Sequence, residues 1–130
     1  MLPFVKIRYL GDMAENIIKI KSFGFAKRIV SFYKYLCNEK KEYVMSKQLL
    51  RSGTSIGANV FESDRAVSKK DFINKIGIAQ KEADETLYWI ELLHETGYIA
   101  DAEYVSIKTD CEELIKILMA ISKTSTRNDC

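Results

Sequence analysis

The chain has 130 residues, 47% of them hydrophobic, a length and apolar content sufficient for one core without metal or disulfide staples. Its net charge of +2 excludes an extreme polyelectrolyte, and its three cysteines, Cys37, Cys111 and Cys130, form neither an even disulfide set nor a CxxC metal spacing. That usage points to a reducing, cytoplasmic compartment, and no apolar run is long enough to cross a bilayer, since Lys6 and Arg8 interrupt the opening stretch.

Residues 1–12 read as a tail or short extended arm, residues 13–123 as one helical domain, and residues 124–130 as a disordered polar tail. Pro3 is the only proline, so beyond Gly11 only a few glycines interrupt helix formation. A first helix is expected over 17–37, with Ile18, Phe25, Ile29, Phe32 or Tyr33, and Leu36 at the three-and-four spacing of one face. Residues 38–41 form a polar connector, and a second helix follows over 44–61. Ser68 with Asp71 resembles a capping box, opening a third helix with Phe72, Ile76, Ala79, Ala83, Leu87, Ile90 and Leu93 on its apolar face. Gly97 stops it, Asp101 can cap the next, and Tyr104, Ile107, Cys111, Leu114, Leu118 and Ile121 stripe the fourth. Short links between long helices force antiparallel neighbours, so the expected fold is all-α, an antiparallel up-down four-helix bundle.

The second helix carries the most distinctive residues. Gly53 and Gly57 lie one turn apart in its interior, where each glycine costs about 1 kcal/mol relative to alanine, so close approach of another helix is the expected compensation. Arg51, Ser55, Asn59 and Glu62 stack on one face. Such a row is either a hydrogen-bonded seam between packed helices or a ligand groove, and the requirement that buried polar groups find partners favours the seam.

Charge is unevenly distributed: residues 1–65 carry +6 and residues 66–130 carry −4. Between residues 19 and 51 the local charge reaches +7. Lys27, Arg28, Lys34, Lys40, Lys41 and Lys47 are therefore candidates for contacting the phosphates of RNA or DNA, and Lys27, Lys34 and Lys41 would share a face if the helix continued that far. The competing reading is a solvated or subunit-facing surface. On the third helix, Ile78, Trp89 and Leu92 stand off the core stripe beside an acidic run that includes Glu82 and Glu85. These five are the candidate interface of a closed homo-oligomer, with the acids facing the basic surface of the next copy.

Catalysis finds little support in the sequence. Glu91 and the only histidine, His94, match one Glu-x-x-His element of a di-iron bundle, but a second histidine is lacking; His94 reads instead as a surface cation near a helix C-terminus. Cys37 and Cys111 fall on apolar stripes, and no glycine-rich loop joins a strand to a helix. No cofactor and no metal are expected.

The chain resembles the 23S rRNA intervening sequence protein family. The resemblance runs through Arg51, Ser52, Ser55, Ile56, Asn59 and Glu62 and then Ser68, Phe72, Ala79, Glu82 and Glu85, within a match over about residues 13–122; Ser63 departs from the glycine that many members have. It implies a four-helix bundle, a homopentamer in some members, with no established activity for those encoded inside 23S ribosomal RNA genes. It also implies kinship with the accessory protein of diversity-generating retroelements, a basic ring that partners a reverse transcriptase and binds nucleic acid. The function expected is thus a non-enzymatic binding module for nucleic acid, or alternatively an adaptor for a protein partner.

Overall fold

The computed structural model describes the backbone of residues 4–127 and the side chains of residues 12–126. Its elements are α1 Phe4–Asn38, α2 Met45–Asp64, α3 Lys69–Glu95 and α4 Asp101–Arg127, with no strand among the described residues. Each helix packs on its neighbours in sequence and α4 returns to α1, while the backbones of the diagonal pairs stay apart. That closed order is the antiparallel up-down bundle expected from the short links.

The four apolar stripes meet in one core. Ile18, Phe25, Ile29 and Leu36 of α1 face Leu49, Ile56 and Val60 of α2, Ile76, Ala79, Ala83, Ile90 and Leu93 of α3, and Ile107, Cys111, Leu114, Leu118 and Ile121 of α4. Phe32, Phe72, Leu87 and Tyr104 are half-buried against this core rather than within it. Burial on this scale, at about 25 cal/mol per Å² of apolar surface, is the main source of stability.

The helix ends differ from the sequence reading in three places. The segment expected as an arm is helical from Phe4, continuous with α1. The fourth helix runs to Arg127, so residues 124–127 are helical; residues 128–130, Cys130 among them, lie outside the described residues. The second helix runs past the expected residue 61 to Asp64, with the buried Ser63 hydroxyl donating to the Val60 carbonyl at 2.6 Å.

The turns follow local chemistry. Ser68 caps α3, its hydroxyl accepting the Asp71 N–H at 3.0 Å, while the Asp71 carboxylate accepts from Val67 N–H at 3.4 Å. Gly97 sits at φ +86° after α3, a left-handed conformation that glycine adopts without strain. Asp101 is the first residue of α4 and its carboxylate reaches back to His94 at 2.8 Å.

Candidate functional site

Two surfaces carry residues singled out by the sequence, the basic end formed by the α1–α2 turn and the α2–α3 polar row, and a third, the exposed flank of α1 and α2, emerges from the fold.

At the basic end, α1 stops at Asn38 and the chain turns with Lys41 at φ +55°, after which the Glu42 N–H donates to the Leu36 carbonyl at 3.0 Å. Lys41 therefore leaves the every-seventh stripe that would have joined it to Lys27 and Lys34, because the helix does not extend to it. Lys34, Lys40, Lys41 and Lys47 instead gather around one end of the bundle, all exposed, and none of them has an ion pair among the described residues. Lys27 is also exposed without an acid partner, two turns back along α1.

Glu42 alters the charge balance here. Its carboxylate is buried and accepts the N–H groups of Val44, Met45 and Ser46 at 3.1, 3.0 and 2.7 Å, capping α2. Burial alone would raise its pKa, but these backbone donors hold it below the ordinary glutamate value. Its negative charge is spent on the positive end of the α2 dipole. Glu39 is left as the exposed carboxylate of the turn. Tyr35, in the last turns of α1, and Tyr43, just before α2, are 37% and 54% exposed, with the Lys40 ammonium 6.0 Å from the Tyr35 ring centroid. Tyr33, the other tyrosine of this stretch, is half-buried. Arg28 does not join the set: its guanidinium pairs with Asp110 at 2.7 Å and donates to the Ser106 hydroxyl at 2.7 Å, tying α1 to α4.

The polar row of α2 lies along α3. Arg51 spans to Glu82 at 2.9 Å and to Glu85, and Glu62 faces Lys75 at 3.9 Å, so the two ends of the row bridge the helices. Its middle bonds to its own helix: Ser55 donates to the Arg51 carbonyl at 2.6 Å and the Asn59 amide to the Ser55 carbonyl at 2.8 Å. The Trp89 indole N–H adds a 3.2 Å bond to Glu85, whose carboxyl is held low first by that bond and then by Arg51. The same contacts involve α3 residues expected at an oligomer interface. Glu82, Glu85 and Trp89 are engaged within the subunit, Ile78 and Leu92 are half-buried, and Glu91 accepts from Tyr104 at 2.7 Å and pairs with Lys108 at 2.9 Å.

A further exposed apolar surface lies on α1 and α2. Ile20 and Phe23 of α1, 75% and 66% exposed, and Phe61 of α2, 60% exposed, border a groove of about 540 Å³ floored by Gly57 and Val60. The Lys19–Asp64 pair, 2.6 Å apart, closes one side, and Lys27 stands 5.3 Å from the Phe23 ring centroid. The sequence reading missed this groove because Ile20, Phe23 and Phe61 fit no core stripe. Being large, apolar and off the stripe is the signal that would have found it.

The residues weighed for catalysis each sit in a structural setting. His94 is not the free surface cation expected: it stacks on Tyr104 with ring centroids 3.8 Å apart and bonds Asp101, because the α3–α4 turn folds α4 back over it. Burial pushes the Cys111 thiol up to about 12, leaving no thiolate at neutral pH, and Cys37 lies half-buried with its sulfur 3.8 Å from the Ser46 hydroxyl. Among the described residues no three His, Cys, Asp or Glu side chains are grouped to hold a metal, and no helix is long and apolar enough to cross a membrane.

A family model described as 23S rRNA-intervening sequence protein matches residues 14–120. The chain belongs to this family. Within the match fall the Arg51 row, its α3 partners, the basic end and the groove. A 1.70 Å crystal structure of a protein of unknown function from the S23 ribosomal protein family of Bacteroides thetaiotaomicron VPI-5482 shares 57% sequence identity. It covers 85% of this chain and 98% of its own length with a TM-score of 0.84. No curated protein matches the chain significantly.

Proposed function

We propose that this family member is a non-enzymatic binding module whose basic end holds nucleic acid. The observation that carries the reading is the set of four exposed lysines, Lys34, Lys40, Lys41 and Lys47, without acid partners around a turn whose Glu42 is consumed as a helix cap. A polyanion releases its counterions on meeting such a cluster, which is the dominant driving force of backbone binding. Lysine ammoniums meet phosphates as point charges, so the contact proposed is to the backbone and nearly independent of sequence. Replacing the four lysines with glutamine should preserve helicity. It should weaken binding to RNA or DNA and make the salt slope shallower by about 0.7–0.9 for each phosphate that is no longer neutralised. A parent chain that binds no nucleic acid at low salt would overturn the proposal.

The groove beside Phe61 supports a second reading, in which the chain is a scaffold for a protein, the first candidate being a second copy of itself. Binding there would be insensitive to salt, which separates it from the first reading.

A further inference from the structure

We infer that the basic end takes single-stranded nucleic acid in preference to duplex, with unpaired bases stacking on Tyr43 and Tyr35. The inference rests on the nucleic-acid reading and specifies the form of the ligand. A surface that only tracked phosphates would need cations alone, yet this one exposes two aromatic rings among its lysines. Tyr43 precedes α2, 54% exposed, with no ring contact and no side-chain hydrogen bond among the described residues. More than half of this residue is therefore open to a ligand. Tyr35, one residue after Lys34 on α1 and 37% exposed, has the Lys40 ammonium 6.0 Å from its ring centroid, so a base that displaces this ammonium from the ring finds the cation beside it for its own phosphate.

A duplex offers these rings nothing to stack on. Its base faces are covered by their neighbours, so only the lysine contacts to phosphates remain. The α1–α2 turn is short, and its ends are held close: Glu42 caps α2 with its carboxylate and its own N–H is tied to Leu36. In a single strand every base offers a free π-face, so stacking is tolerant of sequence and combines with a cationic track.

The test uses the full chain with two fluorescent probes of equal length, an unstructured single-stranded oligonucleotide and a blunt duplex. The parent should bind the single strand more tightly at every salt concentration. Tyr43→Ala should weaken single-strand binding by roughly 5- to 150-fold, the span of one base stack, with an unchanged salt slope. Tyr43→Phe, which keeps the ring, should retain parent affinity, and duplex binding should be indifferent to both changes. Tyr35→Leu, which keeps an apolar side chain on α1, should reproduce the loss. Equal affinity of parent and Tyr43→Ala for the single strand, or tighter binding of duplex, would overturn the inference while leaving the phosphate contacts standing, provided the glutamine variant still loses binding. If the parent binds neither probe, both the inference and the nucleic-acid reading fall.

Discussion

At the residue scale, the glycines separate into two kinds that look alike in sequence. A Cβ built on Gly53 would lie 2.8 and 2.9 Å from the two carbons on the branched Cβ of Ile29, atoms that cannot swing aside, and one on Gly57 would lie 3.2 Å from the Ser22 carbonyl oxygen of α1. Gly24 and Gly77 face open space. Gly53→Ala should therefore destabilise the bundle by about 1–3 kcal/mol through overpacking, despite the better helix propensity of alanine. Gly24→Ala and Gly77→Ala should each stabilise it by about 0.5–1 kcal/mol. Urea unfolding monitored by circular dichroism checks both signs, and a Gly53→Ala variant at least as stable as the parent would show that α1 is free to back away.

At the element scale, the start of α2 is set by a side chain just outside the helix. Glu42 supplies the acceptors for three N–H groups that the helix leaves unpaired, so Glu42→Ala should cost about 1–3 kcal/mol at neutral pH. The pH dependence has a definite sign. The folded pKa lies below the unfolded one, so the folded state favours the ionised carboxylate; its contribution is present above about pH 4.5 and disappears as pH falls through the lower folded value. The difference in stability between parent and Glu42→Gln should accordingly shrink on acidification. A difference that grows towards low pH would show that burial, rather than the backbone donors, controls this group.

At the scale of the whole molecule, the bundle closes its core and its α2–α3 polar row within one chain, and leaves an apolar groove open between α1 and α2. If the groove seats a second copy, light scattering at micromolar concentration should give more than the monomer mass. The double variant Phe23→Ser with Phe61→Ser should restore the monomer without loss of helicity, since both side chains are exposed. A monomeric parent would remove self-association and leave the groove to a different protein.

The sequence by itself determined the four helices, their antiparallel order and nearly every core position, because those depend on local periodicity, caps and link lengths. Ser68, Gly97 and the stripes from Ile18 to Ile121 needed no partner to be read. Membership of the family was legible in the Arg51 row with its α3 glutamates. Only the tertiary structure decided which charges remain free. Arg28 is spent on Asp110, Glu82 and Glu85 on Arg51, and Glu42 on α2, whereas Lys34, Lys40 and Lys47 are left to solvent. A charge's availability depends on what the fold brings within a few ångströms of it, and those partners lie from a few to more than eighty positions away in the chain.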